Sequence, residues 1–161
     1  MREKKKILVT GEGGFIGTNF ILRALAVMHW RILNLGSLTY TGNAGNFKDL
    51  SDDHRMRYGF THGDIRDDAL LDRLFDEEAF DGVIHFGAES HVDRSILGPT
   101  ASLETNVIGT FRLLEGALRY WRKRGRPENF RFLHISTDEV YGSLGGEGRF
   151  TEKTPYDPSS P

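Results

Sequence analysis

Lys6-Ile7-Leu8-Val9-Thr10-Gly11-Glu12-Gly13-Gly14-Phe15-Ile16-Gly17 is the stretch that decides how the rest of the chain is read. Lys6–Thr10 is a short apolar run that stops at a glycine cluster. Beyond it, Ile16, Phe20, Ile21, Leu25 and Met28 recur at helical spacing within Phe15–Met28. The order is therefore strand, tight turn, helix. Gly11, Gly14 and Gly17 each meet a different need. Gly11 lets the strand turn sharply, Gly14 lets backbone approach a pyrophosphate, and Gly17 lets helix and strand pack closely. Phosphates would then face the positive end of the helix. An ordinary tight turn between strand and helix would also use glycine. The context favours a ligand, because the motif follows a strand and opens a helix.

Working outward, Arg31–Leu35 reads as a second strand, followed by a loop rich in Gly, Asn, Thr and Ser through Gly45. A site for NAD calls for a carboxylate about 20 residues beyond the glycines, to accept from the ribose hydroxyls. That place is Leu35-Gly36-Ser37, which holds neither a carboxylate nor an arginine that would welcome a 2′-phosphate. Met56–Phe60 reads as a weaker third strand. Asp67–Glu78 reads as a helix with acidic residues at its positive end and Leu70, Leu71, Leu74 and Phe75 on one face. Gly82–Phe86 is a continuous apolar run, as in strands buried on both faces. From Thr100 to Arg124, Leu103, Val107, Ile108, Phe111, Leu114, Leu118 and Trp121 mark a long amphipathic helix. Phe130–Ile135 reads as a fifth strand. The pattern predicts an α/β fold, a Rossmann-like doubly wound parallel sheet. It is expected to be incomplete at the C-terminal end, where no helix follows to cover the fifth strand.

Composition narrows the function classes. Lys and Arg number 21 against 23 Asp and Glu, a net charge of −2, with no basic stripe to hold nucleic acid. There is no cysteine, which excludes disulfides and thiolate chemistry. The longest apolar runs are far short of a membrane span, and Met1–Lys6 is not followed by a signal-peptide core. A soluble, cytoplasmic domain is the expectation. Its 19 glycines in 161 residues exceed the ~7% average, so backbone must approach something closely or turn often.

Two polar segments run off the carboxyl ends of strands, where open α/β sheets bind ligands. His85–Ser95 carries Glu89, His91, Asp93 and Arg94, either as a self-satisfied loop network or as part of a site. A metal site from His85, Glu89 and His91 is rejected, since two histidines on one irregular loop rarely suffice. Ser136–Gly142 contains Ser136-x-x-Glu139, a capping box for a short helical turn. Its adjacent Asp138 and Glu139 could instead serve as separate acid and base, which requires environments that separate their pKa values.

The glycine turn, Leu38-Thr39-Tyr40-x-Gly42-Asn43, Asp64-Ile65, Ala88–Ser95 (AESHVDRS), Asn106-Val107-x-Gly109-Thr110 and Ile135–Gly142 (ISTDEVYG) occur in the order seen in dTDP-glucose 4,6-dehydratases. The chain resembles that family, within the extended short-chain dehydrogenase/reductase superfamily, over nearly its whole length. The resemblance implies NAD as cofactor and a nucleotide sugar, dTDP-glucose, as substrate. Gly11, Gly14, Phe15, Ile16 and Gly17 would lie at the phosphates, Gly36, Ser37, Leu38 and Thr39 near the ribose, and Asp64 and Ile65 at the adenine. Phe86, Gly87, Ala88, Ser90, Thr105 and Ser136 would line the cofactor. Ser90 and Thr137 would touch the sugar, Asp138 would be the acid and Glu139 the base, with no metal. The implied chemistry moves hydride from sugar C4 to NAD, which acidifies the C5 proton. Glu139 takes that proton while Asp138 protonates the leaving C6 hydroxyl, and hydride returns to C6.

The sequence departs from the family at Gly36, where an aspartate is usual, and at Gly13 and Gly87, commonly alanines. A Tyr-x-x-x-Lys pair, whose tyrosine deprotonates the C4 hydroxyl, is expected after Pro161, with the sugar-nucleotide lobe beyond. Residues 1–161 are thus expected to be a truncated NAD-binding domain, inactive alone, from a protein that dimerises. The alternatives are a nucleotide-sugar epimerase, which would not need Asp138 beside Glu139, and a non-catalytic dinucleotide-binding module.

Overall fold

The computed structural model describes residues 5–11, 14–37, 44–89, 98–146 and 148–159. Its centre is β1 (Lys6–Thr10), which pairs in parallel with β2 (Arg31–Gly36) on one side and β4 (Gly82–His85) on the other. β3 (Tyr58–His62) flanks β2, and β5 (Arg131–His134) flanks β4, giving the order β3-β2-β1-β4-β5. The chain moves outward from β1 to β3, then returns to the other side of β1. The strand order therefore reverses between β1 and β4, opening a crevice at their carboxyl ends.

Alternation along β1 feeds two cores. Leu8 joins Leu35, Leu71, Leu74, Phe75, Val83 and Leu113 on one face of the sheet. Ile7 and Val9 join Ile21, Leu25, Ile32 and Ile84 on the other. The second face is covered by α1 (Phe15–Arg23), which continues into a π-helical turn, Ala24–Met28. The first is covered by α3 (Asp68–Glu77) and the long helix after β4. Asp67 caps α3, its carboxylate accepting from the Leu70 amide at 3.0 Å.

Two expectations need correction. The third strand starts at Tyr58 rather than Met56, because α2 (Asp52–Arg57) runs up to it, capped by Ser51. The reason is Arg57, which is buried and donates to the carbonyls of Leu25 and Trp30 and to Asp53. Satisfying that guanidinium holds Met56 and Arg57 in the helix and leaves Met56 exposed.

The long helix is also built differently. It runs as α4 (Pro99–Ser102), a π-helical segment (Leu103–Gly109) and α5 (Thr110–Lys123) without a break. Its buried face is Gly109, Leu113, Gly116, Ala117 and Tyr120, whereas Leu103, Val107, Ile108, Phe111 and Leu114 are exposed. The small residues let the helix approach closely. A Cβ on Gly109 would fall 2.8 Å from the Ile65 side chain, and one on Gly116 3.2 Å from the Phe75 ring. Tyr120 then reaches the Phe80 carbonyl at 2.8 Å. Along the outer seam Arg119 pairs with Asp72 and Lys123 with Asp76, each at 2.7 Å. Such exposed pairs add little each. Among the described residues no helix is long and apolar enough to cross a membrane.

Candidate functional site

The crevice is framed by the turn after β1 and the segment after β4. Thr10, the last residue of β1, is buried, and its carbonyl accepts from the Phe86 amide at 2.9 Å. Gly11 follows with φ +80, in the left-handed region that favours glycine. A side chain there has no room either, since a Cβ would lie 2.3 Å from the Gly87 nitrogen. The two segments touch backbone to backbone. Gly14 is the extended N-cap of α1, and its carbonyl accepts from Thr18. Among the described residues no side chain caps this helix, and its first turn suits water or an anion. Phe15 and Ile16 stand exposed at that end, while Gly17 is buried.

At the end of β2, Gly36 is half-buried, and its carbonyl accepts from Gly63 at 3.0 Å. Ser37 beside it is exposed. Asp64 follows on the neighbouring strand's exit and is held by Arg66, whose Nη2 donates to Oδ2 at 2.6 Å and whose amide donates to Oδ1 at 2.8 Å. The Arg66 hydrogen bonds hold the Asp64 carboxyl below the usual carboxylate range. Ile65 is buried beneath Gly109.

On the other side of the crevice Phe86 and Gly87 are half-buried and Ala88 is exposed. The Phe86 ring leans on Phe20 with centroids 5.2 Å apart. The segment is anchored from the long helix. Asn106 accepts from the Glu89 amide at 2.8 Å and donates to the Glu89 carbonyl at 3.0 Å, as a strand neighbour would. Thr105, next to it in the π-helical segment, is half-buried. π-helical turns within helices frequently mark functional sites. Nothing in the spacing of 103–109 announces this one, and only the Asn106–Glu89 contact gives it a purpose.

Past β5, Ser136, Thr137, Asp138 and Glu139 are all exposed. The expected cap on Ser136 is displaced by one residue. Thr137 is the N-cap of the 3-10 turn Asp138–Tyr141, its Oγ1 accepting from the Glu139 amide at 3.2 Å. A 3-10 turn is tighter than an α-helix, which moves the capping position one residue closer to Glu139. Thr137 Oγ1 also faces Asp138 Oδ1 at 3.4 Å. Leu38, Thr39 and Ser90 lie outside the described residues, as does the loop from His91 to Ser95.

Sequence reading weighed His85 only as a loop metal ligand, whereas it is the last residue of β4 and fully buried. Its Nδ1 lies 2.5 Å from Thr10 Oγ1 and its Nε2 2.9 Å from Thr110 Oγ1. Burial, aided by the neighbouring His134, lowers its pKa to about 4.

A Rossmann-like α/β domain with glycine backbone and polar residues gathered at its strand-order reversal is the class that fold and site define. The protein-family model described as GDP-mannose 4,6 dehydratase matches residues 8–161, and the chain belongs to that family. A dTDP-glucose 4,6-dehydratase of Xanthomonas campestris pv. campestris is 52% identical over 156 residues, spanning 96% of this chain and 44% of the relative. The crystal structure of dTDP-glucose 4,6-dehydratase from Bacillus anthracis in complex with NAD superposes with a TM-score of 0.81 at 40% identity, covering 98% of this chain and 45% of that one. A UDP-glucose 4-epimerase from Thermotoga maritima shares the fold with a TM-score of 0.78 but only 26% identity, over 96% of this chain and 45% of the epimerase. The chain spans less than half the length of these relatives.

Proposed function

We propose that this chain is the NAD-binding domain of a dTDP-glucose 4,6-dehydratase and carries the acid and base of the elimination step. The observation that carries the proposal is the convergence of three segments at the carboxyl ends of β1, β4 and β5: the Gly11 turn, Phe86–Glu89 and Thr137–Glu139. The residues present suit a dinucleotide at the phosphates. The Gly11 turn and Gly87 meet through backbone, and the first turn of α1, uncapped among the described residues, suits an anion. Gly11, Gly14, Phe15, Ile16 and Gly17 would hold the phosphates. Gly36, Ser37, Leu38 and Thr39 would border the ribose. Asp64, kept ionised by Arg66, and Ile65 would hold the adenine, with Phe86–Ala88, Ser90, Thr105 and Ser136 lining the remainder.

Bound NAD would supply a hydride acceptor that later returns the hydride to the sugar. The protein's own part is proton traffic. Once the sugar carries a C4 ketone, its C5–H bond is acidified, and the Glu139 carboxylate takes that proton. Asp138, protonated, gives its proton to the C6 hydroxyl, which leaves as water while a C5–C6 double bond forms. Each transfer is worth about 10²–10⁴-fold when the groups are well placed. Thr137 Oγ1, bonded to the Glu139 amide, orients the pair. The carboxylates side by side favour elimination over epimerisation, which removes no water. A homodimeric cytoplasmic enzyme belongs to the same proposal, and the apolar stripe that the long helix leaves exposed supports an assembly partner.

Calorimetric titration of the chain with NAD tests the binding half, and saturable one-to-one binding is expected. No tyrosine in these 161 residues has a lysine four positions on. With dTDP-glucose and NAD supplied, the chain alone should therefore yield no 4-keto-6-deoxy product. Product at enzyme-like rates would sink the assignment of C4 deprotonation to a Tyr-x-x-x-Lys pair. In the active enzyme containing this chain, Asp138→Asn and Glu139→Gln should stop elimination yet leave NADH formation visible. If both variants lost NADH formation, the two residues would instead be structural.

A further inference from the structure

His85 has no part in the proton traffic and does not face the crevice, yet it lies where three elements meet. One ring nitrogen bonds Thr10, which closes β1, and the other bonds Thr110, the first residue of α5. The ring is also the floor of the crevice wall. A Cβ on Gly87 would lie 3.1 Å from the imidazole Cε1, so the Gly87 backbone rests on the ring. Gly11 in turn rests on Gly87 from above. Gly11, Gly87 and His85 thus form a stack one residue wide, and the imidazole bonds its base to both β1 and the long helix.

We propose that His85 is a positioning residue for the dinucleotide, fixing through Thr10 and Thr110 the spacing between the Gly11 turn and the Phe86–Ala88 segment. The proposal rests on the NAD reading above. An aromatic ring of the same size would fill the space. Only an imidazole also offers a nitrogen to each hydroxyl, and threonine hydroxyls can donate or accept to suit either tautomer. A buried hydroxyl left without its partner would pull the helix and β1 into a different spacing, because its loss is costly.

Thr110 allows a test that leaves the proposed cofactor-lining residues unchanged, since it is half-buried on the helix and is not one of them. NAD affinity is measured by calorimetry for wild type, Thr110→Val and Thr110→Ser, well below the melting temperature of each. There a loss of stability alone leaves Kd unchanged. Thr110→Val should raise Kd about 3–10-fold, the effect of one hydrogen bond, and Thr110→Ser should restore it to within about twofold. Equal Kd values in wild type and Thr110→Val would overturn the proposal. His85→Phe, which keeps the ring but loses both bonds, provides the second arm. The double variant His85→Phe/Thr110→Val should bind no more weakly than His85→Phe alone, because both changes cut the same link. Multiplying losses would overturn the link. A wild-type chain that binds no NAD would overturn the dinucleotide reading itself, and this inference with it.

Discussion

β4 and β5 are neighbours of equal length, parallel, in register, and each ends in a histidine, with His85 opposite His134. Every residue of β4 is buried, while β5 is exposed at three of its four positions. The difference lies in what surrounds them. β4 is flanked by β1 and β5, with helices on both faces, whereas β5 has β4 alone beside it among the described residues. One histidine is consequently a neutral brace inside the fold, and the other is a surface group. The same contrast separates the two halves of the candidate site. The segments proposed for NAD hang from the buried strands, and the carboxylates proposed for catalysis hang from the exposed one. Within these 161 residues the two halves therefore hang from strands of unequal burial.

The sharpest way to break the comparison is at the buried end. Gly11→Ala places a Cβ against the Gly87 backbone at a positive φ, so it should cost about 3 kcal/mol of stability. NAD binding should fall below detection, as read by chemical denaturation and calorimetry. A folded variant of normal affinity would show that the two segments need not touch.

Acid provides the next largest effect. His85 titrates near 4 in the folded chain against about 6.5 in the unfolded one, so the unfolded state takes up a proton first. Its contribution is whole above about pH 6.5 and is lost as pH falls toward 4, at most about 3 kcal/mol. Urea unfolding of wild type from pH 7 to 4 should show this slope, and His85→Phe should flatten it. His134→Ala should leave it largely in place, and an equal flattening there would erase the distinction between the two strands.

A smaller effect sharpens the binding half. Gly36→Asp returns a carboxylate to the end of β2 and should tighten NAD by about 1.5–3 kcal/mol. Unchanged calorimetric affinity would remove residue 36 from the ribose. The smallest effect belongs to the exposed end. Asp138→Asn and Glu139→Gln should each change stability by less than about 0.5 kcal/mol in denaturant melts, as surface substitutions do. A larger loss would mean that the turn after β5 is braced like the one after β4.

Much of the fold was legible in the sequence because the strands read as short, mostly apolar runs between turn residues, even where, as in β5, little of the strand is buried. Lys6–Thr10, Arg31–Leu35, Gly82–Phe86 and Phe130–Ile135 each came within a residue at either end. Pattern failed where burial depended on a distant partner. Arg57 reads as a surface charge until the carbonyls of Leu25 and Trp30 are in place around it. The long helix carries one stripe of large apolar residues and another of small ones, and spacing alone does not say which meets the sheet. The site was legible as strings at strand ends, and the roles given to its residues came from resemblance. His85 was hidden for a physical reason: its two hydroxyl partners lie 75 and 25 residues away in the chain.

The π-helical segment Leu103–Gly109 bears on how the gene can change. Closing hydrogen bonds five residues back rather than four, it holds slack that an α-helix lacks. Deleting one codon there would restore α-helical winding and take up that slack, moving the residues of the wide turn off their present facing while its flanks keep theirs. Asn106 would swing away from Glu89, while Gly109 and Leu113 kept their seats on Ile65 and the sheet. A single-codon deletion scan across residues 103–109 should thus yield proteins that fold but have lost their grip on the loop after β4. Deletions within 110–116 should fail to fold at all.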